Sequence, residues 1–214
     1  MRIIWRVYTW SYLAFIFSST PQFWRDHGLA VTPMRNDNSL LAGARNRDQN
    51  ALIGIFDLYS SALYNYAVRL SGDPVQADSI VGDVFAKFLD QLAAGKGPDT
   101  NLRSYLYQMT YHLIIDEVRF SRREAPLELV EFIPGEDGSL PKSFENRILL
   151  DTLLVAIKND LTEDQRHVII LRFLEDFSLR ETAGIIGKDV QNVKVIQNRG
   201  IAKLRKILNR KVSK

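Results

Sequence analysis

The chain has 214 residues, of which 46% are hydrophobic and 25% are charged. These proportions exclude a disordered or fibrous protein, and the length suits one large domain or two small ones. The net charge is only +3, so any affinity for nucleic acid must come from a local cluster of cations. Cysteine is absent, which excludes disulfides, thiolate nucleophiles and cysteine zinc sites and is compatible with a cytoplasmic location.

The first 33 residues differ from the rest in composition, because they contain all three tryptophans. An apolar run from Val7 to Phe17 resembles the core of a signal peptide, but no small-residue cleavage site follows it. A transmembrane helix needs about 20 apolar residues, so this run is too short to span a bilayer. Two hypotheses stay open for residues 1–33: they lie upstream of a true start at Met34, or they form an amphipathic anchor at a membrane surface.

Capping residues and glycines divide the next part of the chain into helices. After a short apolar segment that follows Ser39, Asp48 is placed to cap a long helix that ends at Gly72. Asp73 then caps a second helix that has proline at its first position. A loop at residues 93–100 separates this helix from a third. Apolar residues recur at helical spacing in each of them, which predicts a shared core.

The third helix combines aromatic and cationic side chains. Its apolar stripe is predicted to consist of Leu102, Tyr105, Leu106, Met109 and Leu113. Its surface is predicted to carry Tyr105, Tyr107, Tyr111 and His112 close to Arg103, Arg119, Arg122 and Arg123. Rings that stack on bases, beside cations that follow a phosphate backbone, are typical of single-stranded nucleic-acid binding. Tyrosines at helical spacing also occur in ordinary cores, so both interpretations stay open at this point.

Residues 121–146 are interpreted as a linker, because prolines, glycines and acidic residues replace the helical pattern. Helical spacing resumes at Ile148. Thr162 and Gln165 then form a capping box that opens a further helix.

The stretch from Ser178 to Leu208 is predicted to form two helices joined by a tight turn. Ser178 and Glu181 form a capping box at the start of the first helix. Gly187 supplies the left-handed residue that ends it, and Asp189 caps the second helix. The buried stripe of the pair is predicted to be Leu179, Thr182, Ala183, Ile186, Val193, Ile196, Gly200, Leu204 and Ile207.

The opposite face of the second helix is polar and cationic. It carries Gln191, Asn192, Lys194, Val195, Asn198, Arg199 and Lys203. These side chains can hydrogen-bond base edges, touch a thymine methyl or neutralise phosphate. From Lys194 to Lys214 there are eight Lys or Arg and no Asp or Glu. The pattern favours a DNA-binding helix-turn-helix over a structural hairpin with a solvated face.

No stretch shows the alternation of a β-strand, and no internal repeat is evident. The predicted fold is therefore all-α, with two helical domains joined by a flexible linker, the C-terminal one a helix-turn-helix. The histidines, His27, His112 and His167, lack metal-ligand spacing, and neither a phosphate-binding glycine loop nor a nucleophile elbow occurs. We predict no enzyme activity, no catalytic residue, no metal and no cofactor.

Four blocks in order resemble the bacterial sigma factors of the extracytoplasmic-function group of the sigma-70 family. They are SGDPVQADSIVGDVFAKFL, LRSYLYQMTYHLIIDEVR, LTEDQRHVIILRFLEDFSLRETAGIIG and VKVIQNRGIAKLR. The resemblance implies an initiation subunit of RNA polymerase. Its domains would be a region 2-like domain at 34–120, a linker at 121–146 and a region 4-like domain at 147–214.

The resemblance also implies partners and site residues. The partners are the core polymerase, promoter DNA both duplex and single-stranded, and an anti-sigma factor, with no small-molecule substrate. Core polymerase would be bound by Ser79, Asp83, Val84 and Phe85. The minus-ten element would be opened by Tyr105, Tyr107, Tyr111, His112, Arg119, Arg122 and Arg123. The minus-thirty-five element would be recognised by the polar face of the second hairpin helix.

The sequence departs from the family pattern at several of these positions. Ser79 and Gly82 stand where the family usually has an acid and a glutamine. Tyr105 replaces a customary tryptophan and His112 a customary asparagine. Stacking survives a change from tryptophan to tyrosine better than a specific hydrogen bond survives a change from asparagine to histidine.

One alternative function has the same hairpin. A regulator of the response-regulator output type would bind duplex DNA without polymerase. Against it stands the first half of the chain, which lacks strand-helix alternation and carries the tyrosine and arginine segment.

Overall fold

The computed structural model describes residues 37–124 and 144–212. The predictions for residues 1–33 and for most of the linker lie outside these residues. Within the described part of the chain the secondary structure is entirely helical, which confirms the all-α fold. The helices are α1 (Asp37–Arg45), α2 (Gln49–Ser71), α3 (Pro74–Ala93), α4 (Leu102–Glu124), α5 (Phe144–Asp160), α6 (Glu163–Ile169), α7 (Leu179–Ile186) and α8 (Val190–Val212), with a π-helical turn at Ile170–Leu174.

Helices α1 to α4 form a bundle in which every helix contacts the other three. Large side chains fill its core: Ile55, Tyr59, Leu63, Tyr66, Phe88, Leu102, Leu106, Tyr107 and Ile114, each at most 2% exposed. Burial of one such side chain stabilises the fold by about 1.5–3 kcal/mol. The four-helix bundle therefore has its own hydrophobic core.

The ends of α2 and α3 confirm the predicted caps. The Asp48 carboxylate accepts from the Asn50 N–H at 2.9 Å. Asp73 accepts from the N–H groups of Val75 and Gln76 at 2.8 and 3.3 Å. Gly72 has a φ of 77°, which an L side chain rarely adopts, so glycine is required where the chain turns between the two helices.

Helices extend into both ends of the predicted linker. Helix α4 continues to Glu124, and α5 begins at Phe144, so residues 121–124 and 144–146 are helical. The prolines nearest these helix ends are Pro126 and Pro141. Because proline breaks a helix at its own position and disfavours it just before, nothing in the sequence ends α4 earlier than Glu124.

The start of α6, the turn after α7 and the start of α8 lie where their capping residues and glycine predict. Both hydrogen bonds of the Thr162–Gln165 capping box are present, at 3.4 and 3.2 Å. Gly187 has a φ of 64° and lies between α7 and α8. Its neighbour, Lys188, donates its N–H to the Ala183 carbonyl at 3.0 Å, which closes the end of α7.

Asp189 caps α8 as predicted. Its carboxylate accepts from the N–H groups of Gln191 at 2.7 Å and Asn192 at 3.3 Å. Helix, glycine turn and capped second helix thus follow one another as a helix-turn-helix requires.

The chain divides into two compact units. Among the described residues, one contains 37–124 and 179–193, and the other contains 144–178 and 194–212. The domain boundaries at 120 and 147 stay sequence-based predictions. In the described part of the chain, no helix combines the length and apolarity that a bilayer crossing needs.

Candidate nucleic-acid interface

The polar face of α8 is exposed. Every side chain predicted for it is accessible to solvent: Gln191, Asn192, Lys194, Val195, Asn198, Arg199 and Lys203. Val193, Leu204 and Leu208 are each at most 3% exposed on the other side of the helix. Because residues three or four apart share one helix face, the accessible residues form a continuous strip along α8. Lys194, Arg199 and Lys203 make that strip positive.

The buried side of α8 approaches α6 closely at Gly200. A Cβ atom at this position would lie 3.2 Å from Ile169 Cγ1, which is tighter than an ordinary side-chain contact. Ile169 itself is 2% exposed. A side chain at this position would therefore require Ile169 to move by a few tenths of an ångström, so the restriction comes from a neighbouring side chain and not from the backbone angles of Gly200.

A polar contact lies one turn away from Gly200. Arg172 Nε donates to Gln197 Oε1 at 3.0 Å, and Arg172 Nη1 donates to the Phe177 carbonyl oxygen. The guanidinium also lies over the Phe173 ring, 6.0 Å from its centroid. Neither Arg172 nor the π-helical turn that carries it was identified from the sequence. The available signal was a single cation inside an apolar run that extends from Val168 to Phe173.

A buried histidine lies in α6, in the same unit as Arg172. His167 is only 2% exposed. Burial lowers its pKa from 6.5 to about 3, and the charge of Arg166 contributes in the same direction. The imidazole is therefore neutral at physiological pH, and His167 is a core residue.

Two of the predicted base-opening rings in α4 are partly accessible. Tyr105 is partly buried, 6.3 Å from the Phe88 ring, and this burial raises the pKa of its hydroxyl. Tyr111 is also partly exposed, and its ring meets the exposed His112 ring edge-on at 5.4 Å. Tilted and edge-on contacts of this kind hold neighbouring rings in place.

The prediction that placed Tyr107 on the surface is wrong. Its side chain is 0% exposed and packs against Tyr66, with 5.2 Å between the ring centroids. The Arg103 guanidinium lies 5.4 Å from the Tyr107 centroid, a cation–π distance. Tyr107 is therefore a core residue that supports Arg103, and its ring has no face free for a base.

The three C-terminal arginines of the predicted set lie in the last turns of α4. For Arg119, Arg122 and Arg123 the structure describes only the helical backbone. Their part in binding stays a prediction.

The predicted polymerase-binding residues divide into two groups on α3. Ser79 and Asp83 are exposed, and Gly82 lies between them with open space around its Cα. Val84 is 0% exposed and Phe85 9%, so neither side chain presents an open surface, and the part of both in polymerase binding stays a prediction. Val84 lies in the core, and the Phe85 ring packs against the ring of Phe56, which is 47% exposed, with 4.8 Å between the centroids.

The described residues contain no group of three or more His, Asp or Glu side chains arranged to hold a metal ion. The features that stand out are instead the positive strip on α8, the aromatic surface of α4 and the exposed polar residues of α3. These are features of a binding protein.

Two known protein families match this chain. The family Sigma-70 region 2 matches residues 55–124, and the family Sigma-70, region 4 matches residues 159–206. The first match contains α3 and α4, and the second contains α6 to most of α8. Together the two matches cover more than half of the chain.

Several characterised sigma factors are similar to this chain in sequence. An ECF RNA polymerase sigma factor, SigX of Bacillus subtilis, is 27% identical over 71% of this chain and 80% of its own length. SigW of the same organism is 27% identical over 75% of this chain and 90% of its own length. BldN of Streptomyces coelicolor is 24% identical over 79% of this chain, and that match spans 64% of BldN.

Solved structures share the fold. The sigma factor RpoE of Bartonella quintana, solved in complex with the anti-sigma factor NepR, superposes with a TM-score of 0.60 at 25% identity. That alignment covers 73% of this chain and 95% of RpoE. CnrH, solved with the cytosolic domain of CnrY, gives a TM-score of 0.62 at 22% identity over 82% of this chain and 98% of CnrH.

Proposed function

Because this chain belongs to the extracytoplasmic-function group of the sigma-70 family, we propose that it directs bacterial RNA polymerase to specific promoters and initiates transcription there. The observation that carries the proposal is the exposed, acid-free face of α8, which lies in the segment matched by sigma-70 region 4.

The α8 strip is proposed to recognise the minus-thirty-five element in the major groove. Gln191, Asn192 and Asn198 supply hydrogen-bond donors and acceptors for base edges, and Val195 supplies an apolar contact for a thymine methyl. Lys194, Arg199 and Lys203 are the positive charges of the strip, and cations neutralise phosphate. One good base contact discriminates by about 1–3 kcal/mol, so a few such residues account for promoter preference.

The α4 surface is proposed to hold the opened minus-ten strand. Stacking on an aromatic ring contributes about 1–3 kcal/mol per base, against a cost of a few kcal/mol for each unstacked step. Tyr105, Tyr111 and His112 are the rings with accessible surface, and Arg119, Arg122 and Arg123 are proposed to follow the backbone. Tyr107 is left out because its ring is buried.

Ser79 and Asp83 of α3 are proposed to contact core polymerase. The protein would then act in the cytoplasm, as a binding subunit and not as an enzyme. RpoE was solved with an anti-sigma factor. We propose that a protein of the same class controls this chain.

Run-off transcription with purified core polymerase on fragmented genomic DNA tests the proposal. Specific transcripts are expected only when the chain is added. Arg199→Ala should reduce initiation, and Lys96→Ala is the matched control because Lys96 is an exposed cation in the loop between α3 and α4. If the chain binds particular DNA sites tightly without polymerase and adds no transcripts, it is a conventional regulator instead. The match of residues 55–124 to sigma-70 region 2 does not favour that alternative.

A further inference from the structure

Two contacts hold α8 against its own unit, one apolar and one polar. The apolar contact is the close approach of Gly200 to Ile169. The polar contact is the hydrogen bond from Arg172 to Gln197, which lies three residues before Gly200 and therefore on the same side of the helix. Contacts this close together fix how far α8 can turn about its own axis.

Gln197 lies at the border between the two sides of α8. It is partly exposed, and its helical neighbours are the buried Val193 and Gly200 on one side and the exposed Lys194 on the other. Side chains of a helix extend about 5–6 Å from its axis, so a roll of about 10° moves their tips by about 1 Å. Base-edge hydrogen bonds are lost over such displacements. A roll of this size would also stretch the hydrogen bond between Arg172 and Gln197, which therefore opposes it.

The backbone around Arg172 is fixed at both ends. The Glu175 N–H donates to the Ile170 carbonyl at 3.0 Å, and the Phe177 N–H donates to the Leu171 carbonyl at 2.9 Å. Between them Asp176 adopts a left-handed φ of 52°. The π-helical turn and the loop after it therefore form one closed segment, and π turns are often found at functional sites.

The guanidinium joins this closed segment to α8. Its planar donors bind the Phe177 carbonyl on the segment and the Gln197 side chain on the helix. A planar fork loses less freedom for each hydrogen bond than a flexible ammonium does. Arg172 thus connects α8 to a rigid reference point in its own unit.

We propose that Arg172 is a positioning residue for promoter recognition, which sets the roll of the α8 strip through Gln197 without touching DNA. This inference rests on the proposed function, because it assumes that the α8 strip contacts the minus-thirty-five element. It assigns a role to a residue outside the exposed strip.

Binding of holoenzyme to DNA tests the inference. The variants are Arg172→Met, which removes the donors, Gln197→Met, which removes the acceptor and leaves the π turn intact, and the double substitution. The probe is a duplex fragment spanning the minus-thirty-five element of a promoter found in the run-off assay, with affinity measured at several salt concentrations. Amide hydrogen exchange of residues 194–203 is measured on the same proteins without DNA.

Each single variant is expected to bind the promoter duplex about tenfold more weakly. Loss of one hydrogen bond to a charged group changes an equilibrium constant by about this factor. The double variant should lose no more than either single one, because the two residues act as a pair. The salt dependence should stay unchanged in all three, whereas Lys203→Met, which removes a proposed phosphate contact, should make the slope of log affinity against log salt concentration less negative by about 0.9. Exchange of the α8 amides should accelerate in the Arg172 and Gln197 variants.

Two outcomes of the binding measurements would overturn the inference. Unchanged affinity with only a lower melting temperature would make Arg172 a structural residue, and a smaller salt slope in Arg172→Met would make it a phosphate contact. Failure of the proposed function is distinguishable, because the unmodified holoenzyme would then initiate nowhere. Hydrogen exchange would still decide whether Arg172 holds α8, and unchanged exchange in both single variants would refute the contact.

Discussion

The buried, neutral His167 makes stability depend on pH. In the unfolded chain a histidine takes up a proton below pH 6.5, whereas in the folded protein His167 resists protonation until about pH 3. Its pKa is lowered by folding, so its contribution is fully present above pH 6.5 and is lost as the pH falls from 6.5 toward 3. At pH 5.5 the free energy of unfolding should be about 1.4 kcal/mol below its value at pH 8 from this group alone.

Urea unfolding at both pH values measures this difference. His167→Asn is the comparison variant, because it removes the titrating group and keeps a polar side chain of similar reach. It should be less stable at pH 8 but should lose less stability between pH 8 and pH 5.5. An identical loss in the two proteins would show that other groups cause the pH dependence.

Tyr105 should contribute to promoter opening through its ring and not through its hydroxyl. Tyr105→Ala is expected to leave promoter binding intact but to reduce the reactivity of minus-ten thymines to permanganate, because a stacking platform worth about 1–3 kcal/mol is lost. Tyr105→Phe keeps the ring and should behave like the unmodified protein. If Tyr105→Ala opens promoters normally, Tyr105 has no part in opening.

Two glycines within the helices have different surroundings, and substitution should therefore have opposite effects at the two positions. A Cβ at Gly184 of α7 meets no atom within 4 Å, so Gly184→Ala should stabilise the protein by about 0.5–1 kcal/mol through backbone entropy. A larger side chain at Gly200 meets Ile169, so Gly200→Leu should destabilise by about 1–3 kcal/mol. Denaturant midpoints measure both changes. Equal shifts of the same sign would contradict the close approach at Gly200.

The side-chain oxygen of Asp189 should stabilise the start of α8. Asp189→Ala is expected to cost about 1 kcal/mol of unfolding free energy, because two N–H groups at the start of α8 lose their acceptor. Asp189→Asn keeps a good capping oxygen and should cost much less. Thermal melting of the two variants tests this, and equal losses would point to the charge instead of the cap.

For the individual helices, the sequence predicts where a helix starts better than it predicts which face is buried. Asp48, Asp73 and Asp189 cap their helices because an aspartate oxygen accepts locally, which needs no knowledge of the fold. The face of α4 was predicted with Met109 and Leu113 buried, but Thr110 and Ile114 are the buried pair.

The reason for this error lies in one hydroxyl. Thr110 Oγ1 donates to the Leu106 carbonyl within α4 at 2.9 Å, so a polar side chain can be buried at little cost. Tyr107 is buried on the same rotated face. The π-helical turn was also missed, because the apolar run that forms it has no sequence signal distinct from an ordinary helix.

For the whole molecule, the four sequence blocks that resemble sigma factors, taken in their order, indicated the family more specifically than the amino-acid composition did. The exposed residues of the α8 strip followed from helical spacing alone. The proposed role of Arg172 could not be predicted in this way, because it depends on Gln197, which lies 25 residues away in the chain. Contacts over such separations are set by tertiary structure, which local pattern does not specify.

The distribution of charge over the molecule predicts how DNA binding responds to salt. The net charge is only +3, yet α8 contains no acidic residue. Attraction to phosphate should therefore come from a few cations on one helix and not from the field of the whole protein. Each phosphate that a cation neutralises contributes about −0.9 to the slope of log affinity against log salt concentration.

Lys203→Gln should make that slope less negative by about 0.9 and weaken binding equally to promoter and unrelated duplexes, since phosphate contacts carry no sequence information. Asn198→Ala should leave the slope unchanged and weaken binding only to the promoter, because its proposed partner is a base edge. Lys96→Gln, which removes an exposed charge outside α8, is the control and should change neither quantity. Titration of labelled duplexes with holoenzyme at several salt concentrations measures all three. If Lys96→Gln changes the slope as much as Lys203→Gln does, attraction to DNA comes from the whole molecule and the α8 strip is not its source.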